Sequence, residues 1–287
     1  MTSSLSKESG SKYASLFLRI SRSDVHLGLL ILILCSSIAS RIDDFTLIPF
    51  AIALINTNLF LLFAFFVIFH LICADYDNRR ATIVDYGVFV LSLLSLNLVG
   101  KMGVTHDVGL VTAGLAVWFW RQRKSENARY IALVWFALSL NVLIAPLFFQ
   151  VFKSFILVAE VDLIAYIWNL LGYNVWADGQ LLTSASGVKL RMIGACSVFT
   201  NLSFGFLCYA SVKAFNRQSF SFPDMLFVAV LIALLALGNA IRIGLMLPSY
   251  EAYVYWHHGS GETIFGAAQF ITIIAISFSS VWVRRAI

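Results

Sequence analysis

The chain has 287 residues, of which 60% are hydrophobic and 12% charged, with a formal net charge of +5. Soluble domains carry about 25% charged residues, so this composition excludes a soluble globular protein, and nothing in the positive balance points to nucleic acid. Mean hydropathy is +0.86, and the apolar residues fall in continuous runs instead of alternating with polar ones, which excludes a β-barrel and favours helices.

A helical span needs about 20 apolar residues, because a rise of ~1.5 Å per residue must cover ~30 Å of hydrocarbon. In chain order the runs predict about eight spans, over 25–40, 49–74, 84–100, 104–120, 130–150, 192–213, 224–247 and 264–283. The first is short, and the second begins with an interfacial segment near Asn56 and Asn58. The run ending Ser36-Ser37-Ile38-Ala39-Ser40 resembles a small-residue cleavage site but reads as an uncleaved anchor. The apolar stretch from Ser154 to Val175 holds Glu160 and Asp162, and reads as an interfacial or re-entrant helix.

The expected fold class is therefore all-α, a polytopic transmembrane helix bundle. Its parts are a cytoplasmic N-terminal segment (1–24), N-terminal membrane helices (25–150), an extracytoplasmic interfacial segment with a short outer hairpin (151–191) and core membrane helices (192–287). Lys and Arg set the orientation, since they concentrate on the cytoplasmic side. With the N-terminus inside, Lys7, Lys12, Arg19 and Arg22 are cytoplasmic, as are Arg79, Arg80, Arg121, Arg123, Lys124, Arg129, Lys213, Arg217, Arg284 and Arg285. Only Arg41, Lys101, Lys153, Lys189, Arg191 and Arg242 fall outside. Both termini are then cytoplasmic, and the cluster at Arg121–Arg129 is a topology anchor that also meets anionic lipid.

The cysteines do not form a disulfide framework. Cys196 and Cys208 are expected on one helix, about 18 Å apart along its axis, whereas a disulfide needs Cα atoms within about 7 Å. Metal-binding Cys-x-x-Cys or His-Glu-x-x-His spacings and Gly-rich phosphate loops do not occur, so no metal and no cofactor is expected.

Reactive residues gather in the last third. Cys196 lies near the start of the sixth span, Arg242 near the end of the seventh, and His257 just before the eighth. Span polarity puts all three near the outer face. Each alone has an ordinary reading: a lone Cys packs as a small residue, a lone His sits in a wet loop, and an Arg near a helix end snorkels to headgroups. Asn239 shares a helix face with Arg242 and is placed to hold its side chain. Together the three suit acyl transfer: the thiol needs a partner to become a thiolate, His257 shuttles the proton, and Arg242 stabilises the oxyanion. His106 with Asp107 is a second polar pair, read as ordinary polar contact.

In these residues the chain resembles the exosortase/archaeosortase family of membrane transpeptidase-like proteins. The matching elements are Cys196-Ser197, Asn239-Ala240-Ile241-Arg242 and His257 through Gly261, preceded by Gly172-Tyr173-Asn174-Val175 and a polar stretch through Leu182, Gly187 and Leu190. The resemblance covers roughly residues 165–283. It implies a cysteine peptidase or transpeptidase with Cys196, Arg242 and His257 catalytic, and Asn239, Ser197, His258 and Gly261 supporting. Its partners would be exported proteins bearing a C-terminal transmembrane sorting signal, in the cell membrane, with the site on the extracytoplasmic side. The family's usual Gly after Cys-Ser is replaced by Val198, and His258 competes as the base, although His257 alone gives the four-residue step to Gly261. Gly194, Ser203, Gly205 and Gly244 either receive a substrate helix or pack within the bundle. The alternative is a non-enzymatic transport or polysaccharide-assembly component in which Arg242 binds anions. A Ser hydrolase is disfavoured, because no Gly-x-Ser-x-Gly context is present.

Overall fold

A computed structural model describes residues 20–39, 58–98, 104–122 and 126–286. Of the described residues, 79% are helical. Lys7, Lys12, Arg19, Arg41, Asn56, Lys101, Arg123 and Lys124 lie outside the described residues, as does most of the 1–24 segment. Two compact units divide the chain, Met1–Val142 and Leu143–Ile287.

The first unit carries α1 (Arg22–Ala39), α2 (Leu59–Ala74), α3 (Ile83–Leu98), α4 (Val104–Arg121) and α5 (Glu126–Ser139). Its core is built from Leu29, Ile33, Ile68, Leu71, Leu115 and Trp135. One carboxylate ties two helix starts together. Asp85 accepts from Thr82 N at 2.8 Å and Thr82 Oγ1 at 2.7 Å, capping α3, and from Arg22 Nε of α1 at 3.0 Å. Asp107 is buried in the first turn of α4, while the side chain of His106 lies outside the description. Beyond α5 the helix widens into a π-turn, Leu140–Ile144, just ahead of Pro146. Proline lacks an N–H and its ring crowds the carbonyl four residues back, and a wider turn relieves both problems.

The second unit carries α6 (Ala145–Leu170), β1 (Val175–Asp178), β2 (Leu181–Ser184), β3 (Lys189–Arg191), a 3-10 turn (Gly194–Cys196), α7 (Phe199–Phe215), α8 (Phe222–Leu245), α9 (Tyr250–His258) and α10 (Ser260–Ala286). Helix α6 runs unbroken through Glu160 and Asp162, so the expected boundary at 150/151 falls inside it. It ends at Gly172, where φ of +87° permits a Schellman closure: Gly172 N–H bonds Asn169 O at 3.1 Å and Tyr173 N–H bonds Trp168 O at 3.0 Å. The Asn169 side chain then pairs with both backbone groups of Val175 at 2.9 Å, which launches β1.

In place of a simple hairpin, the segment after α6 forms a three-stranded antiparallel sheet in the order β1-β2-β3. Its register sets Trp176 against Thr183 and Thr183 against Lys189. Val175, Leu182 and Leu190 face inward, joining Trp168, Cys196, Ala240, Ile243 and Leu247 in one buried cluster. The turn after β2 is pinned by Ser184 Oγ and Ser186 Oγ, which donate to Leu247 O at 2.9 and 3.0 Å.

Among the described residues three helical runs are long and apolar enough to cross a membrane: Asn127–Leu170, Phe222–Leu245 and Ser260–Arg284. Val151, Phe155, Met225, Leu226 and Ile271 on them are exposed. So much outward apolar surface needs a nonaqueous neighbour, and lipid provides it. At one end of α7, α8 and α10 a buried polar network joins the three helices. Asp224 receives Tyr209 Oη at 2.6 Å, pairs with Lys213 and meets Arg284 Nη2 at 3.3 Å.

Small residues set the helix spacing within the unit. A Cβ on Gly205 would lie 3.2 Å from Leu231 of α8, so Gly205 is used in packing between α7 and α8. Gly244 is tighter: a Cβ there would lie 1.6 Å from Trp168 Cε2. The same indole donates from Nε1 to Ala240 O at 2.9 Å, locking α6 onto α8. Gly244→Val should therefore lower stability by roughly 1–3 kcal/mol through overpacking, read as a drop in the thermal unfolding midpoint in detergent. An unchanged midpoint would mean that Trp168 does not hold this seat.

Candidate active site

Beyond β3 the chain stays extended. Met192 is buried and its N–H bonds Gln180 O at 2.8 Å, after which Gly194–Cys196 turns as a single 3-10 loop. Gly194 suits this turn because a Cβ would lie 3.1 Å from the Phe149 ring. Cys196 was expected on the sixth span, but α7 starts only at Phe199 and the thiol sits on the turn ahead of it. The reason is local. Cys196 N–H closes on Ile193 O at 2.9 Å, and Ser197 is extended, with its Oγ accepting Phe199 N–H at 3.2 Å. Val198 has φ −66° and ψ −18°, an ordinary conformation, so the backbone here has no need of glycine.

Helix α8 brings two residues to this turn. Asn239 is buried and its Nδ2 donates to Cys196 O at 2.9 Å. Spacing suggested that Asn239 would hold Arg242; it holds the Cys196 backbone instead. Arg242 is held by other means. Its Nε donates to Trp256 O at 3.2 Å, and the guanidinium lies 5.1 Å from the centre of the Phe265 ring. From there its charge reaches both Cys196 and His257.

Helix α9 supplies the imidazole. Its N-cap is Ser249, whose Oγ accepts Ala252 N–H at 3.1 Å, and His257 lies in the last turn. His257 Nε2 stands 3.6 Å from Cys196 Sγ, while Tyr253 stacks on the ring at 5.0 Å with 27° between planes. His258 lies on the other side of that ring and does not face the sulfur, since its contact is with His257 Nδ1 at 3.0 Å. The corner into α10 is tight: a Cβ on Gly261 would come within 2.7 Å of the Trp256 ring. Gly261 thus leaves room for the Trp256 ring at the corner.

One participant stood out little in the sequence. Glu160 of α6 accepts Ser197 Oγ–H at 2.6 Å and fixes the residue that follows the thiol. A lone acid inside an apolar helix is costly and usually functional, which was the available signal. Asp162, two residues on, is exposed. His106 and Asp107 belong to the first unit.

The geometry allows proton transfer between Cys196 and His257, while burial pushes the thiol up and opposes its ionisation, an effect that the Arg242 charge offsets in part. Cys196 is 6% exposed, so its thiol is shielded from bulk water. His257 is held below its ordinary value of 6.5 by partial burial first, then by His258 and Arg242, with Glu262 opposing. The ring is thus neutral near pH 7 and able to accept the thiol proton. Chemically this is a thiol with a base at hydrogen-bond range, a cation within electrostatic reach and an amide fixing the backbone. Comparison with protein-family models, curated proteins and solved structures finds no match to this chain.

Because the His257 shift is downward, its base form persists into mild acid. Alkylation of Cys196 by iodoacetamide, followed by peptide mass spectrometry, should fall on acidification with a midpoint below 6.5. His257→Ala should abolish that step. A wild-type profile without an acid step below 6.5 would show that His257 does not serve the thiol.

Proposed function

We propose that this chain is a membrane-embedded cysteine peptidase or transpeptidase acting on C-terminal sorting signals of exported proteins, in the manner of the exosortase/archaeosortase proteins it resembles. The observation that carries the reading is the approach of His257 Nε2 to within 3.6 Å of Cys196 Sγ, from an element far away in sequence. Arg242 and Asn239 come to the same place from α8, and buried apolar surroundings strengthen every charge interaction there.

The chemistry follows from these groups. His257 Nε2 takes the Sγ proton, and the thiolate adds to the scissile carbonyl. Arg242 offsets the negative charge on the tetrahedral oxygen, while Asn239 keeps the Cys196 backbone from swinging away. The C–N bond then breaks, and His257 returns its proton to the leaving amine. The thioester left on Cys196 is resolved by water or by an acceptor nucleophile.

In this reading the chain crosses the cell membrane about eight times with both termini in the cytoplasm. The thiol then faces the extracytoplasmic side, where an exported substrate presents its cleavage motif while its own helix rests in the bilayer. Lipid acyl chains cover the exposed apolar sides of α6, α8 and α10. No cofactor is required by this chemistry.

A direct test co-expresses the chain with an exported reporter ending in a transmembrane helix and basic tail. The substrate should be cleaved by the wild type and left intact by Cys196→Ser, with the variant still inserted in the membrane. Arg242→Gln should slow cleavage by about a hundredfold or more. If Arg242 instead serves anion binding in a transport or polysaccharide-assembly component, Cys196→Ser will be tolerated and only the Arg242 variant will fail.

A further inference from the structure

A neutral imidazole has two tautomers, and only one serves a thiol: the nitrogen facing sulfur must be unprotonated and the other must carry the hydrogen. Here Nε2 of His257 faces Cys196 Sγ at 3.6 Å, so the productive tautomer places its hydrogen on Nδ1. That hydrogen needs an acceptor. The nearest ring nitrogens belong to His258, whose Nε2 and Nδ1 lie 3.0 and 3.4 Å from His257 Nδ1. Consecutive residues on a helix ordinarily point apart, yet these two rings have centroids 4.2 Å apart at 62°. Tyr253, one turn earlier, holds both, stacked on His257 and edge-on to His258 at 6.0 Å. Among the described contacts no carboxylate bonds the His257 ring.

We infer that His258 is the positioning residue for His257: it accepts the Nδ1 hydrogen, fixes the tautomer that turns Nε2 to the Cys196 thiol, and steadies the imidazolium after proton transfer. The catalytic consequence rests on the peptidase reading, whereas the effect on thiol reactivity does not. The groups facing His257 are Cys196 from the 3-10 turn, Arg242 from α8, Tyr253 and His258 from α9, and Glu262 from α10. Glu262 acts at a distance by charge. His258 is exposed.

The test measures alkylation of Cys196 by iodoacetamide against pH in the full-length, detergent-solubilised protein, with no substrate needed. His258→Ala should slow alkylation at neutral pH by about tenfold or more, the scale of losing an orienting partner. His258→Gln, whose amide oxygen still accepts, should recover most of that loss. Thermal unfolding of each variant verifies the fold, and the glutamine variant carries the test alone if the alanine variant is unfolded. The inference is overturned if His258→Ala reacts at the wild-type rate, or if His258→Gln reacts as slowly as His258→Ala. His257→Ala separates this from the reading it rests on: if that variant alkylates like the wild type, the thiol–imidazole pair itself is absent.

Discussion

The indole of Trp168 occupies the space that Gly244 leaves by having no side chain, and its Nε1 bonds the Ala240 carbonyl one turn away. This seat fixes α6 against α8, and most of the site follows from it. With α8 held, Asn239 reaches the Cys196 carbonyl and Arg242 reaches the Trp256 carbonyl. With α6 held, Glu160 reaches Ser197 and Asn169 starts the sheet. The sheet then places Leu182 and Leu190 over the same buried cluster and feeds the chain into the turn bearing the thiol. A single close approach, possible only for glycine, thus aligns contributions from two helices, a sheet and a turn.

The site gathers polar groups in an apolar setting, where each unpaired one would be costly. The arrangement limits that cost by using backbone carbonyls as partners. Asn239 and Arg242 both donate to main-chain oxygens at the ends of elements, Cys196 in its 3-10 turn and Trp256 in the final turns of α9. Those are positions where helical carbonyls lack intrahelical donors. Binding the side chains this way leaves the thiol and the imidazole as the pair free to exchange a proton. The network around Asp224, at another end of the same helices, works differently, with its charges paired among themselves.

Much of the helical character was legible because continuous apolar runs admit few alternatives in lipid. Runs beginning at 224 and 264 correspond to α8 and α10, which the structure starts a few residues earlier. The sheet was less legible, since strands of three or four residues are too short to show a period. Cys196 was drawn into a helix because Met192 and Ile193 extend the apolar run leading into α7, and hydropathy does not distinguish an extended entry from a helical one. For the site, sequence order set Cys196, Arg242 and His257 near the ends of successive elements. It could not say that Asn239 would face the Cys196 carbonyl instead of Arg242, or which of two adjacent histidines would meet the sulfur. Those outcomes depend on how α8 and α9 rotate about their axes, which Trp168, Phe265 and Tyr253 decide through packing. Glu160 was visible as a lone acid in an apolar helix, but its partner lies 37 residues away and is fixed only by tertiary structure.

The central claim is that Cys196 forms a thioester with an exported substrate. The most direct measurement is the intact mass of the protein after brief incubation in membranes with a substrate carrying a C-terminal transmembrane signal, followed by acid quench. The account predicts an adduct on Cys196 equal in mass to the substrate's N-terminal fragment less water, released by hydroxylamine and missing from the Cys196→Ser variant. Cleavage of that substrate without any Cys196 adduct, and undiminished in Cys196→Ser, would contradict it.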